Sequence, residues 1–276
     1  MQASVLHVEF GHPEFWKTVH DACPRFFEVR PRLKTSFYSI AANPRTFEDR
    51  NRKTIFNLCL LAGVAMEELV TLAGNGLGIG AMKIARNLLE LSINAEYLRM
   101  NPAAVSDFVD WFWVEQNRLL TYAQQHDPDL LKQFTPDAIA HTQKEFARVR
   151  STFVNTKTGK LRQGWCAVDL ANRAIQTHLE VPYRLVNPFG SQFLHGTVGA
   201  VLNHFDLAAS QEQIAPPPSL KWCPQALCGG HHCLAAVIHT LETMLGQEAN
   251  PCCDEIVKDF QYAWPAASVA SLYAQP

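Results

Sequence analysis

The stretch that decides the fold is Gly74–Leu98, GNGLGIGAMKIARNLLELSINAEYL. Four glycines at every second position lead into a segment that is apolar on nearly every side, as is typical of a buried helix. Arg86, Glu90 and Asn94 are polar, lie four residues apart and therefore share one stripe of the helix. The stretch predicts a buried helix that carries a polar ladder.

The glycines at the start of this stretch have two interpretations. A dinucleotide-binding glycine loop follows a strand, whereas the residues up to Gly74, EELVTLAG, are typical of the end of a helix. We therefore expect Gly74 or Gly76 to end that helix in a left-handed conformation. We expect Gly78 and Gly80 to let the next helix begin close to a neighbour.

Helical periodicity recurs along the rest of the chain, and strand signals are nearly absent. The predicted fold class is all-α, an antiparallel helical bundle with additional short helices. Residues 1–50 are predicted to form an N-terminal helical arm, 51–210 the bundle core, and 211–276 a C-terminal helical extension packed on the core. The predicted helices are Arg50–Ala73, Ala81–Met100, Pro102–Gln125, one that opens at Thr135-Pro136, and four near residues 167–179, 182–210 or 189–210, 232–245 and 252–262.

Composition bounds the class of protein. Of 276 residues, 47% are hydrophobic and 18% are charged, which indicates a globular chain with a large core. Many nucleic-acid-binding proteins are strongly basic, whereas this chain has a net charge of −2. This net charge is still compatible with a local basic groove. It favours self-association, so we expect a homo-oligomer.

The location of the protein is inferred from its apolar segments. A signal peptide has a basic region followed by an apolar run, and the N-terminus of this chain shows no such pattern. The most apolar window, Ile55–Met66, is too short to span a bilayer. We therefore expect a cytoplasmic protein without a membrane partner, whose eight cysteines are reduced thiols.

A second polar stripe lies in Val181–Phe205, VPYRLVNPFGSQFLHGTVGAVLNHF. Ser191 and His195 share one helix face, and a histidine opposite Glu90 could serve as a general acid or base. A satisfied core histidine is the competing interpretation.

A buried unpaired charge is costly, so the polar groups of the ladder must be paired inside the bundle or face a cavity. The ladder is therefore either a structural Arg86–Glu90 pair that fixes helix register or part of a polar pocket between helices. In the pocket, Arg86 or Arg184 would bind an anionic group such as a phosphate. The candidate ligand-binding residues are Asn94, Tyr183, Arg184 and Ser191.

Together these motifs resemble a bacterial helical family of unknown function, DUF5677. The likeness covers roughly residues 50–210 and implies a helical fold with the two polar stripes, but no activity. The motifs that carry it are the Arg-x-x-x-Glu ladder, Trp165, the pair Tyr183-Arg184, and Ser191-x-x-x-His195-Gly196.

Arg173 and His178 form an Arg-x-x-x-x-His pattern that resembles the HEPN ribonucleases, which are small helical proteins common in toxin and phage-defence systems. Residues at this spacing lie on different faces of a regular helix, so this motif would need a local distortion or a dimer to converge. The resemblance implies RNA as a partner.

Cys223, Cys228, His231 and Cys233 could hold zinc, which takes four cysteine or histidine ligands tetrahedrally. We expect this cluster in a loop, with Cys252-Cys253 as further ligands. Buried thiols that act as small apolar side chains are the alternative, and no other cofactor is expected.

Two functional hypotheses follow. The first is a module that binds a small ligand or a partner chain through a buried Arg/Glu/His pocket. The second is a metal-independent HEPN-like ribonuclease or other acid/base enzyme in a toxin or phage-defence setting, so enzymatic activity is left open. An enzyme needs His195 and Arg86 to reach solvent through a cleft, whereas a structural network leaves both sealed.

Overall fold

The structure is a computed structural model, and it describes residues 11–42, 47–204 and 218–247 together with Glu255. Within these residues the regular elements are helices. The strand-like pairings among them are two isolated bridges, Leu77 with Ser219 and Val154 with Leu161. The predicted all-α class is confirmed.

The chain divides into two compact units, the first formed by Met1–Arg99 with Leu170–Pro276 and the second by Met100–Asp169. The predicted division into arm, core and extension stays a prediction. The described helices of the first unit are α1 (Phe15–Ala22), α2 (Pro24–Ala41), α3 (Arg50–Gly74), α4 (Gly78–Met100), α8 (Leu170–Gln176), α9 (Glu180–His195), α10 (Val198–His204) and α11 (Cys223–Leu245). Those of the second are α5 (Ala104–His126), α6 (Pro128–Leu131), α7 (Pro136–Val149) and a 3-10 helix (Arg150–Phe153).

Helix α11 lies at the centre of the first unit and packs against α2, α3 and α9. Gly230 permits its close approach to α3, because a Cβ there would lie 2.9 Å from Leu69 and 3.0 Å from the sulfur of Met66. Helix α4 joins the same core, since Leu88 and Leu89 are fully buried. The burial of these side chains makes α4 part of the apolar core of the first unit.

Helix α3 is longer than the apolar window that the sequence suggested. Among the described residues it is the one helix long and apolar enough to cross a membrane, and half of its most apolar 18-residue window is buried in the fold. The core helix of a soluble protein has the same properties. The prediction that the chain has no membrane partner stays a prediction.

The glycine stretch connects α3 to α4. Gly76 has a φ of +70°, as predicted for a left-handed residue that ends a helix. Gly78 lies so close to the segment before α11 that a Cβ would meet the carbonyl oxygen of Lys221 at 1.9 Å. The expectation for Gly80 was wrong, because a Cβ there would make only an ordinary contact with Leu72 at 3.4 Å.

Two of the predicted helices differ most clearly from the structure. The helix expected over residues 182–210 is divided into α9 and α10 at Gly196, whose φ is +58°. Helix α11 begins at Cys223, well before the predicted start at His232. The helix predicted over 252–262 lies outside the described residues apart from Glu255.

The second unit packs α5 against α6 and α7. Thr135 begins α7 as predicted, because its Oγ1 accepts a hydrogen bond from the Ala138 amide at 3.2 Å and Pro136 occupies the first turn. The basic segment 154–163 follows the 3-10 helix as an ordered turn, closed by the bridge between Val154 and Leu161.

Candidate functional site

The two polar stripes meet where α9 crosses α4. Arg86 donates two hydrogen bonds to Glu90 on the next turn, from Nη2 to Oε1 at 3.0 Å and from Nη1 to Oε2 at 3.4 Å. Its Nε donates to Ser191 Oγ on α9 at 2.8 Å. Ser191 Oγ in turn donates to Asn187 Oδ1 at 3.5 Å. We call these four residues the Arg86 network.

Gly190 allows this contact by bringing the backbones of α4 and α9 together. A Cβ at Gly190 would lie 2.6 Å from the Cβ of Arg86 and 2.9 Å from the carbonyl oxygen of Met82. A larger residue would hold the helices apart and lengthen the bond between Arg86 and Ser191. The geometry of the network therefore depends on a residue without a side chain.

The Arg86 network is ordered by its own contacts and is still open to solvent. The side chains of Arg86 and Glu90 are 19% and 34% exposed. A sealed structural pair would leave neither group within reach of a ligand. Both groups are partly accessible and their positions are fixed. The pair can therefore present hydrogen-bond donors and acceptors to a bound molecule.

The ladder continues at Asn94, which contacts α8. Arg173 Nη1 donates a hydrogen bond to Asn94 Oδ1. The Arg173 guanidinium also lies over the Tyr97 ring, with 5.9 Å between Cζ and the ring centroid. Arg173 is buried. Its contacts connect α8 to α4, so the arginine of the HEPN-like pattern occupies a position in the core.

His178 is separated from Arg173 by the end of α8. Its φ is +58°, and its amide donates to the Ile175 carbonyl oxygen at 3.2 Å. The side chain is exposed. His178 is the left-handed residue that follows the helix, and this role is carried by its backbone.

His195 is the last residue of α9, one turn beyond Ser191, and it is exposed. Its side chain makes no hydrogen bond or ion pair with any residue that the structure describes. The carboxylate of Glu90 is bound by Arg86. The structure therefore brings Ser191, and not His195, to the predicted ladder.

Tyr183 and Arg184 lie about two turns before Ser191 on α9, where Tyr183 is partly buried and Arg184 is exposed. The structure thus places all the candidate ligand-binding residues on α4 and on α9. Asn94 and Arg86 mark the two ends of the ladder on α4.

The four candidate zinc ligands all lie on α11, so the expectation that they occupy a loop was wrong. Positions 223, 228, 231 and 233 point to different sides of a regular helix. Within the described part of the chain, no group of three or more histidine, cysteine or carboxylate side chains is placed to hold a metal ion. Cys252 and Cys253 lie outside the described residues.

Burial makes the three thiols poor metal ligands. It raises the pKa of Cys223, Cys228 and Cys233 to about 12, which disfavours the thiolate that a metal needs. Burial, followed by the charge of Arg30, lowers the pKa of His231 to about 3. The His231 ring stacks on Phe26, with 4.3 Å between centroids. These observations favour the apolar interpretation of the cluster.

Sequence reasoning missed a second polar network, between α4 and α11. Glu96 is buried and accepts two hydrogen bonds from Arg99, from Nε at 2.8 Å and from Nη2 at 2.6 Å. Thr240 Oγ1 donates to Glu96 Oε2 at 2.8 Å. Burial opposes ionisation of Glu96, but the bonds from Arg99 and Thr240 outweigh it and hold the pKa below its usual 4.5.

Asn187 was missed at the site itself. It lies four residues before Ser191, so the spacing rule that identified Arg86 and Glu90 could have found it. The Glu96–Arg99 pair has a spacing of three and could have been found in the same way. Thr240 gave no comparable signal, because its partner is on another helix.

The chain matches, over residues 53–213, the family described as "Family of unknown function (DUF5677)". This range exceeds half of the 276 residues. It includes the whole Arg86 network and excludes α1, α2 and α11. No curated protein and no solved structure matches the chain.

Proposed function

This chain belongs to the DUF5677 family, a family of unknown function, and from that premise we propose that it binds a small, neutral, polar ligand at the Arg86 network. The observation that carries the proposal is the partial exposure of an ion pair whose positions are fixed by α9. The exposed parts of these two side chains are the surface that such a ligand would contact.

The charge of the network indicates the class of ligand. Glu90 neutralises Arg86, so an incoming anion would meet the carboxylate as well as the guanidinium. Arg86 uses three N–H groups within the network, and the Glu90 oxygens have lone pairs beyond those that accept from Arg86. Adjacent donors and acceptors suit an amide or the edge of a nucleobase. The predicted anionic ligand is the competing choice.

A charge-neutralising variant separates these ligands. We would measure thermal unfolding of the full chain with millimolar uridine, adenosine, guanosine, cytidine, glutamine or inorganic phosphate. A neutral ligand present at about 100 times its Kd stabilises the wild type by about 2.7 kcal/mol. In Glu90→Gln the response to that ligand should fall, and phosphate should begin to stabilise the protein, because Arg86 then lacks its counter-charge.

Glu28→Gln is the matched control, since it removes one carboxylate from an exposed pair with Arg25 in the same unit. It should leave the ligand response unchanged. The proposal fails if no neutral probe raises the melting temperature. It also fails if phosphate stabilises the wild type as strongly as it stabilises Glu90→Gln.

Acid/base catalysis at His195 is kept as the alternative because this side chain is accessible. His195→Ala should change the free energy of unfolding by no more than about 0.5 kcal/mol, as is usual for an exposed side chain. If the wild type cleaves a mixed RNA pool and this variant does not, the enzyme hypothesis replaces the binding hypothesis. The homo-oligomer, the cytoplasmic location and the defence setting stay predictions.

A further inference from the structure

A strongly basic segment lies in the second unit. Residues 146–168 contain five lysines and arginines and no aspartate or glutamate, in a chain whose net charge is −2. Arg148 is neutralised by Asp110 and Glu145. The other four are Arg150, Lys157, Lys160 and Arg162, none of which forms an ion pair with a described residue.

The turn that carries Lys157 and Lys160 has a fixed shape. The Asn155 side chain accepts hydrogen bonds from the amides of Lys157 at 2.9 Å and Thr158 at 3.2 Å. The Asn155 amide donates to the Lys160 carbonyl oxygen at 2.8 Å. Gly159 supplies the left-handed residue, with a φ of +66°. Both lysines are exposed on this turn.

A stack of aromatic and guanidinium groups connects the turn to α5. The Arg118 guanidinium lies 5.0 Å from the Trp111 ring, which contacts Phe153 edge-on at 5.1 Å. Arg162 lies on the Phe153 ring at 5.2 Å. Arg118 Nη2 also donates to the Arg162 carbonyl oxygen at 2.7 Å. The two guanidinium groups are thus held at the ends of a preformed stack.

These guanidinium groups retain donors for a ligand. Arg162 Nη2 donates to the Thr152 carbonyl oxygen at 2.5 Å, and Arg118 makes the single bond to Arg162. Each arginine has five N–H groups, so most of them remain for another acceptor. Two carboxylates of α5 are engaged elsewhere, because Glu115 accepts from Trp111 Nε1 at 3.0 Å and Asp110 binds Arg148.

An exposed aromatic ring continues this surface along α5. Tyr122 is one turn from Arg118 on the same helix face and is 53% exposed. Its ring contacts that of His126, with 5.3 Å between centroids. An aromatic platform next to unpaired cations suits unstacked bases and their phosphates. A membrane surface or a phosphorylated peptide would use the cations but has no need of the ring.

We infer that the second unit binds single-stranded nucleic acid through the basic surface formed by Arg118, Tyr122, Arg150, Lys157, Lys160 and Arg162. Binding follows charge and stacking, so it depends on salt and depends little on sequence. This function is separate from the ligand site proposed at the Arg86 network.

The test is fluorescence anisotropy of a labelled 20-nucleotide RNA of mixed sequence with the full chain, at salt concentrations from 50 to 200 mM. Each phosphate contact on a single strand contributes about −0.7 to the slope of log K against log salt. Five contacts predict affinity that weakens about 130-fold over this range. Lys157→Gln/Lys160→Gln removes two contacts, so this loss should shrink to about 20-fold.

Lys132→Gln/Lys144→Gln is the matched control, because it changes the net charge equally at exposed positions of the same unit. It should bind RNA with the wild-type salt slope. Tyr122→Ala should weaken binding at least about fivefold with an unchanged salt slope, since stacking is lost and charge is kept.

Three outcomes overturn the inference. The wild type could fail to bind the RNA at 50 mM salt. The two lysine pairs could have equal effects on affinity. In the third outcome, phosphatidylserine vesicles or a phosphorylated peptide bind through Lys157 and Lys160, and Tyr122→Ala leaves the RNA affinity unchanged. These two results together would assign the surface to a different partner.

Discussion

Gly190 is the residue at which a single methyl group should disturb the candidate site most directly. The Cβ of Gly190→Ala would lie 2.6 Å from the Cβ of Arg86, whereas carbon atoms in contact are about 3.5–4.0 Å apart. Helix α9 must therefore move away from α4 by about 1 Å. The same shift would lengthen the Arg86–Ser191 bond from 2.8 Å to about 3.8 Å, beyond hydrogen-bond range.

The energetic consequence combines three effects. Overpacking costs about 1–3 kcal/mol, and loss of a hydrogen bond to a charged group costs about 1.5–3 kcal/mol. These two costs overlap, because one displacement relieves the clash and breaks the bond. The higher helix propensity of alanine compared with glycine offsets about 1 kcal/mol of these costs. We expect Gly190→Ala to lower the free energy of unfolding by about 2 kcal/mol.

Urea unfolding followed by far-ultraviolet circular dichroism measures this change. Gly80→Ala is the control, because its Cβ would make an ordinary contact with Leu72 and the variant should be at least as stable as the wild type. Equal stability of Gly190→Ala and Gly80→Ala would refute the close approach of α9 to α4. It would also remove the basis for the fixed geometry of the Arg86 network.

Three further predictions concern the other polar and strained residues. The wild type should be more stable than Glu96→Gln, and this difference should have its full size near pH 7. It should shrink as the pH falls below about 4.5 through the lowered pKa of Glu96, because protonation removes the charge that Arg99 binds. A constant difference in urea titrations from about pH 3 to 7 would contradict this. His178→Gly should raise the free energy of unfolding by up to about 1 kcal/mol in thermal melts, since glycine adopts a positive φ without strain, and a lower melting temperature would contradict it. Burial raises the pKa of Cys223 to about 12, so Ellman's reagent with peptide mapping should find this thiol unmodified until the chain unfolds, and rapid modification of the native protein would contradict its burial.

The sequence was most informative where a contact lies within one helix. Arg86 and Glu90 are four residues apart, and helical periodicity alone brings their side chains together. The cap at Thr135 and the left-handed Gly76 are local in the same sense, because the backbone conformation of a few residues decides them. These features needed no knowledge of the rest of the fold.

The start of α11 was misjudged because its local signals conflict. Gly229, Gly230 and the cysteines suggest a loop, yet in the structure they are the small residues that let the helix pack closely. A Cβ at Gly229 would lie 2.4 Å from Val186 of α9, and one at Gly230 would lie 2.9 Å from Leu69 of α3. Tertiary packing outweighed the weak helix propensity of glycine.

The sequence by itself determined that α4 is helical, that it carries a polar ladder and that a second stripe lies on α9. It did not determine which residue of α9 meets Arg86. Ser191 is 105 positions away from Arg86 in the chain, and only the packing of α9 on α4 at Gly190 selects it in place of His195. Contacts within a helix follow from its repeat, whereas contacts between helices depend on register and separation, which the whole core sets together.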